Sequence, residues 1–223
     1  MKESAKSKQY WGVLEREATS GKGIDIGCGP DPVTPDCRAF DLADGDANCI
    51  TKYVHEEYDF VYSSHCLEHM RDPEAALREW WSLVKPGGWL FLVVPDEDLY
   101  EQGGFPSRFN RDHKSTFTIS KASSWSPRSY NVLSLAQGLP GGEIAALQLQ
   151  DRGYDRALMS FGTRKATVPA RLLARLYGVL CGLVGNERLA PLRRALTLYF
   201  PVDQTTEAFE AQAQIQLIMR KAR

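Results

Sequence analysis

The stretch that decides the fold is GKGIDIGCGPDPVTPDCRAFDL, residues 21–42. A short apolar run ends in Gly27-Cys28-Gly29, and a second run ends about a dozen residues later in Asp41. A glycine turn after a buried strand lets the backbone approach a ligand closely, and an acid at the end of the next strand can accept hydrogen bonds from both ribose hydroxyls. The spacing therefore predicts an α/β protein that binds a nucleoside-containing cofactor.

The residues around this turn do not match a dinucleotide site. Such a site needs G-x-G-x-x-G, because the third glycine lets the following helix pack against the strand. Here the turn is GCGPDP, with prolines where that helix would begin and Asp31 in place of the third glycine. An acid, Asp25, stands two residues before Gly27 instead. The pattern favours a cofactor other than NAD.

Short apolar runs along the chain predict a largely parallel sheet with crossover helices. After the run at 23–27 we expect strands at 37–42, near 48–54, at 58–64, at 89–94, within 143–155 and at 212–222. We expect an opening helix over 5–18 and a second helix over 72–84, capped by Asp72 with Pro73 in its first turn.

Several motifs in order give this sequence its family resemblance. DIGCGP at 25–30 is similar to motif I of the class I S-adenosylmethionine-dependent methyltransferases. The motifs that follow resemble the small-molecule branch of that family: YDFV at 58–61, LEH at 67–69, DPEAALRE at 72–79 and VKPGG at 84–88. The resemblance is close over 21–96 and extends in outline to the last strand.

The resemblance implies a Rossmann-like class I methyltransferase fold. This fold has a seven-stranded, mostly parallel sheet with helices on both faces, here with a helical insertion before the last strand. We expect a single domain over 1–223, divided into a cofactor-binding core (20–96), an acceptor-site loop (97–131), the helical insertion (156–205) and a closing strand (212–222).

The resemblance also implies S-adenosylmethionine as cofactor, S-adenosylhomocysteine as product and a role for each matched residue. The methionine moiety would be lined by Asp25, Gly27, Cys28 and Gly29, the ribose by Asp41 and Leu42, the adenine by Asp46 and Ala47, and the sulfonium by Ser64 and His65. Asn48 is an alternative adenine contact. Glu68 and His69 are expected to bond loop backbone, and Cys28 and Cys66 to fill small buried spaces.

The predicted acceptor-site loop interleaves aromatic and polar side chains, which suits a small polar acceptor. An acceptor hydroxyl must lose its proton, so a base is expected there. His113 is the first candidate, with Asp112 as an alternative or as its orienting partner; the other interpretation is an ordered turn over 112–114. We expect methyl transfer to oxygen or nitrogen, and a saccharide or sugar-linked acceptor is favoured.

Composition narrows the partners and the location. The net charge of −1, from 27 basic and 28 acidic residues, gives no overall basic field for nucleic acid. Five cysteines without a CxxC pair favour reduced thiols over disulfides or a zinc site, and we predict no metal. The polar N-terminus has no signal-peptide pattern, so a cytoplasmic location is expected.

An Arg-rich region over 152–194 leaves several alternatives open. It is either a helical face packed on the domain, a cap or dimer face, or a peripheral membrane contact through 168–194. The apolar part is too short and too basic for a transmembrane segment. We expect a monomer or homodimer. The rival functions are a methyltransferase for a protein or lipid-linked acceptor, and a non-catalytic partner subunit that keeps the fold.

Overall fold

The computed structural model describes residues 3–159, 201–206 and 209–223, together with seven isolated positions between 172 and 189. Most of the predicted insertion at 156–205 therefore lies outside the described residues. Within the described part, no helix combines the length and the apolar character that crossing a membrane requires.

Eight strands are present in this part of the chain. They are β1 (Gly23–Ile26), β2 (Arg38–Phe40), β3 (Tyr58–Ser64), β4 (Val84–Pro95), β5 (Thr116–Thr118), β6 (Ser129–Asn131), β7 (Gly142–Gln150) and β8 (Gln214–Lys221). Six of them form one sheet in the order β2-β1-β3-β4-β8-β7, in which β8 runs in the direction opposite to the other five strands. The mostly parallel α/β sheet is confirmed, with six described strands where seven were expected.

Helices cover both faces of this sheet. The α-helices are α1 (Glu3–Lys8), α2 (Val13–Glu17), α3 (Pro73–Ser82) and α4 (Val132–Gln137). Helix α3 begins as predicted, because the Asp72 side chain accepts a hydrogen bond from the Ala75 amide at 3.1 Å and Pro73 occupies the first turn. The expected single opening helix is instead the pair α1 and α2, separated by residues 9–12.

The prediction of a strand near 48–54 is wrong. Residues Ala47–Lys52 form a 3₁₀-helix, and the Asp46 side chain caps it by accepting hydrogen bonds from the Asn48 backbone and side-chain amides at 2.9 and 2.7 Å. The Trp80 indole donates to the Ala47 carbonyl at 2.9 Å and fixes the helix against α3. Local capping and this tertiary contact outweigh the apolar run.

Alternating side chains of the central strands build two cores. Leu90, Leu92 and Val94 of β4 face the larger core, which α3 and α4 cover, whereas Phe91 and Val93 face a smaller core on the other side. Trp11, Leu14 and Ala18 from the N-terminal region contribute to that second core. Both faces of the sheet are thus buried, as a parallel sheet requires.

The region 97–131 is more ordered than a loop. Residues Glu97–Glu101 form a π-helical turn, and β5 and β6 pair in parallel beside the main sheet. The buried Glu97 carboxylate accepts hydrogen bonds from the Ser124 and Ser129 hydroxyls at 2.7 and 2.5 Å, and Lys121 lies 3.1 Å away. These contacts fold the region onto the end of β4.

Candidate active site

The carboxyl ends of β1, β2 and β3 meet at one edge of the sheet. Ile26 pairs with Phe40 on one side and with Ser63 on the other, so the next residues of each strand are neighbours. The glycine turn, Asp41 and Ser64 follow directly from these strand ends. In an open α/β sheet this edge is where ligands bind.

A cavity of about 350 Å³ opens at this edge. Its lining includes the predicted cofactor residues Gly27, Asp41, Leu42, Asp46, Ala47 and His65, and the predicted catalytic residue Asp112. It also includes Phe40, Gly45, Asn48, Cys66, His69, Met70 and Lys114. Residues from the strand ends and from the predicted acceptor-site loop therefore share one cavity.

The glycine turn is shaped by a close side-chain approach. Gly27 has a φ of 77°, and a Cβ atom there would lie 2.5 Å from the Sγ of Cys66. Gly29 has a φ of 55°, but a Cβ at this position would meet nothing within 4 Å. The space in front of Gly29 is open, whereas Gly27 is required by packing.

Asp41 ties the two strand ends together. One carboxylate oxygen accepts a hydrogen bond from the Gly29 amide at 2.8 Å, and the other accepts from the Leu42 amide at 2.7 Å. The Leu42 side chain is 91% exposed, so it lines the mouth of the cavity. Asp41 thus orders the glycine turn and still lies on the cavity wall.

Asp25 is not among the residues that line the cavity. Its side chain is buried and accepts a hydrogen bond from the Val33 amide at 2.7 Å. Burial raises the pKa of Asp25 to about 7, although the Val33 amide opposes this shift. Cys28 and Gly29 also stand outside the residues that line the cavity.

Asp46 is engaged by its own neighbours. Besides capping the 3₁₀-helix, it accepts a hydrogen bond from the Arg71 guanidinium at 2.7 Å. The hydrogen bonds from Asn48 lower the pKa of Asp46. Asn48 in turn accepts from the Arg71 amide at 2.8 Å. These contacts hold Asp46 and Asn48 in place on the cavity wall.

Strand β3 ends at Ser64, and His65, the next residue, has an unusual backbone conformation. His65 has a φ of 53°, a left-handed conformation that non-glycine residues rarely adopt and that clusters at functional sites. Its Nε2 atom lies 3.0 Å from the Oε1 of Gln214. Ser64 is buried, and its hydroxyl has no hydrogen-bond partner among the described residues.

The two predicted catalytic residues lie in different environments. His113 is buried, its side chain being 2% exposed; its Nδ1 lies 2.6 Å from Glu101, and its ring stacks on Tyr100. It does not line the cavity. Asp112 does, and its carboxylate contacts His69 Nδ1 at 2.9 Å and Lys114 Nζ at 3.2 Å.

Sequence reasoning missed part of this cavity wall. His69 and Lys114 line the cavity, and the Lys114 ammonium donates to the His69 carbonyl at 2.9 Å. Glu68 and His69 were expected to bond loop backbone. His69 Nδ1 lies 3.2 Å from the Asp112 carbonyl, whereas the Glu68 carboxylate has no hydrogen-bond partner among the described residues. The available signal was the position of LEHM just after a strand at the ligand-binding edge.

Comparisons with known proteins agree with this architecture. A family described as a methyltransferase domain matches residues 9–139, which is more than half of the chain. A comparison with curated proteins finds no match.

Solved structures with the same fold include phosphoethanolamine N-methyltransferase 2 of Haemonchus contortus, in complex with phosphomonomethylethanolamine and S-adenosylhomocysteine. It is 12% identical, with a TM-score of 0.50, 97% of this chain covered and 53% of that chain. Another is a SAM-dependent methyltransferase of Archaeoglobus fulgidus, with 15% identity, a TM-score of 0.47, and coverage of 98% and 92%.

The family match covers the strands that build the cavity, including β1, β2, β3 and β4. The chain therefore belongs to the methyltransferase domain family.

Proposed function

We propose that this enzyme transfers the methyl group of S-adenosylmethionine to an oxygen or nitrogen of a small polar acceptor. The observation that carries the proposal is the shared cavity. Gly27 and Asp41 line it from the strand ends, and Asp112 and Lys114 line it from the predicted acceptor-site loop. Two substrates that meet there would be held in contact, which is the main requirement of an in-line displacement.

The cofactor roles inferred from the sequence fit this cavity as follows. Asp41 would accept the ribose hydroxyls, and Asp46 or Asn48 would contact the adenine amine. Leu42 and Ala47 would pack against the nucleoside. Asp41 and Asp46 both line the cavity and already hold their positions through backbone amides, so little ordering is needed on binding.

The methionine part of the cofactor is proposed to lie toward the glycine turn. The open space in front of Gly29 supports this placement, and the buried Asp25 would supply the negative charge for the ammonium group, directly or through water. Cys28 belongs to the same turn. Ser64 and His65 would then flank the sulfonium, at the end of β3.

The reaction forms a bond between the methyl carbon and the acceptor atom as the bond between carbon and sulfur breaks. A hydroxyl acceptor must also release its proton. Of the two candidate bases we favour Asp112, because it lies at the cavity, while His113 is buried behind it. Lys114 would orient polar groups of the acceptor. The aromatic and charged side chains interleaved along the sequence of the predicted acceptor-site loop keep a saccharide or sugar-linked acceptor as our preference.

Calorimetric titration with S-adenosylmethionine, S-adenosylhomocysteine and NAD tests the cofactor side. We expect micromolar binding of the first two and none of NAD. The acceptor side is tested with labelled methyl groups against sugar nucleotides, free sugars and small amines, with a protein extract and lipid vesicles as comparison. Binding without transfer to any acceptor would instead support a non-catalytic partner subunit.

A lipid-linked acceptor is the second candidate. Five apolar residues at helical spacing are exposed among the isolated described positions, each with 38–77% of its surface accessible to solvent. They are Leu172, Leu176, Val179, Leu180 and Leu183. An exposed apolar stripe in an Arg-rich region suits a lipid surface. Sedimentation with anionic vesicles, compared with neutral vesicles, tests this candidate, and equal absence from both pellets would contradict it.

A further inference from the structure

Three of the four histidines of the chain converge on one buried carboxylate. The Oε1 atom of Glu68 lies 3.5 Å from Nδ1 of His65, 4.0 Å from Nε2 of His69 and 3.9 Å from Nε2 of His113. Glu68 is completely buried, and neither of its carboxylate oxygens has a hydrogen-bond partner among the described residues. A buried carboxylate without hydrogen bonds is costly unless a cation compensates it.

Two of these histidines are oriented by other carboxylates. Nδ1 of His69 lies 2.9 Å from Asp112, and Nδ1 of His113 lies 2.6 Å from Glu101. A nitrogen that faces a carboxylate carries the proton, so the opposite nitrogen of a neutral imidazole presents a lone pair. In neutral rings of this tautomer both Nε2 atoms would face the Glu68 carboxylate, at 4.0 and 3.9 Å, and a cation bound between them would compensate its charge.

The arrangement has the chemistry of a metal site. The ligand atoms of Glu68, His69 and His113 all lie within 4.8 Å of one another. Metal-binding histidines characteristically donate their other ring N–H to a carboxylate, which Asp112 and Glu101 would accept here. Ligands of tetrahedral Zn²⁺ at about 2.1 Å from the ion stand about 3.4 Å apart, so the ligand atoms would have to approach one another by up to about 1.4 Å when the ion binds.

We propose that Glu68, His69 and His113 bind one divalent transition-metal ion such as Zn²⁺ or Mn²⁺. Two imidazoles and one carboxylate favour these ions over Ca²⁺ and Mg²⁺, which prefer oxygen ligands. The proposal departs from the sequence-based expectation of no metal, which was based on the cysteine pattern. Cysteines play no part in this cluster.

The position suggests what the ion would do. His69 and Asp112 line the cavity, so a ligand position facing the cavity would be open to an acceptor atom. A bound hydroxyl would be acidified by the ion and would pass its proton to Asp112. This role rests on the proposed function, whereas the metal site itself does not.

Metal binding is measured directly on the full chain after treatment with a chelator. Titration with Zn²⁺, and with Co²⁺ as a spectroscopic probe, is expected to show one equivalent bound with the d–d bands of a nitrogen- and oxygen-ligated ion. Glu68→Gln and Glu101→Gln are expected to weaken binding about 10-fold or more. His55→Gln is the matched control, because His55 is exposed and lies outside the cluster.

Circular dichroism confirms that each variant is folded, and Glu101→Gln provides a second test if Glu68→Gln does not fold. Absence of saturable binding to the wild-type chain would overturn the metal site, as would binding that Glu68→Gln and Glu101→Gln leave unchanged. Titration with S-adenosylmethionine in the same samples keeps the two proposals separate, since cofactor binding without metal binding would reject only the metal site.

Discussion

Glu101 and His113 form a buried pair within the predicted acceptor-site loop, and the pair joins the π-helical turn to the segment around residue 113. Their carboxylate and imidazole atoms lie 2.6 Å apart, and the side chains are 1% and 2% exposed. Because the loop residues Asp112 and Lys114 flank this histidine at the cavity, the pair sets the position of the cavity wall.

Removing the imidazole should destabilise the protein strongly. His113→Ala leaves the Glu101 carboxylate buried without its partner, and breaking such a buried pair costs about 3–5 kcal/mol. We expect the free energy of unfolding, measured with urea, to fall by about this amount. Asp112→Ala is the neighbouring control: its pairs are exposed, so about 1 kcal/mol or less is expected. Equal losses in the two variants would contradict the buried-pair argument.

Replacing Asp41 should weaken the binding of the cofactor. Asp41→Ala would leave the ribose hydroxyls without acceptors and would release the Gly29 amide, at a cost of about 1–3 kcal/mol in binding free energy. Calorimetric titration with S-adenosylhomocysteine measures the change. Asp36→Ala is the control, since Asp36 is an exposed acid of the same region. Unchanged affinity in Asp41→Ala would remove this residue from the ribose role.

The two glycines of the turn should respond differently to alanine. Both have positive φ, so each substitution carries a backbone cost of about 1–2 kcal/mol. Gly27→Ala also forces a Cβ against Cys66, whereas Gly29→Ala meets open space. We expect a clearly larger drop in unfolding free energy for Gly27→Ala. Gly29→Ala should mainly lower cofactor affinity, because its methyl group enters the proposed methionine site.

The sequence predicted well the elements whose signals are local. The strands that become β1, β3 and β4 contain short, largely apolar runs, and α3 carries its own cap at Asp72, so neighbouring residues suffice to identify them. The closing strand β8 is harder, because buried glutamines interrupt it. The Gln214 side chain forms hydrogen bonds with Ser7 and Gln150, and the Gln216 side chain with Glu15 and Gln150. These partners are far away in sequence, in the N-terminal helices and in β7.

The candidate site shows the same division. Motif positions placed Asp41, Asp46 and His65 near one another, and the cavity lining contains all three. Nothing local to His113 indicated that Glu101 and Glu68 would enclose it, because that burial depends on how region 97–131 folds back over β4. Long-range burial of charged groups leaves no periodic signal in a sequence.

The ionisation of Asp25 should make stability fall with rising pH. Burial raises its pKa in the folded protein to about 7 from an ordinary value of 3.8, so between these values the folded chain keeps a proton that the unfolded chain has lost. The free energy of unfolding therefore decreases as pH rises through this window, by at most about 1.4 kcal/mol per pH unit, and becomes flat above it.

Urea denaturation between about pH 4 and pH 8 measures this slope in the wild type and in Asp25→Asn, which keeps the shape but cannot ionise. The difference between the two curves isolates Asp25, because Asp96, whose pKa burial raises to about 6, contributes equally to both. Parallel curves would contradict the assignment. Saturating S-adenosylmethionine should reduce the difference, since an ammonium group beside Asp25 favours the carboxylate and lowers its pKa again.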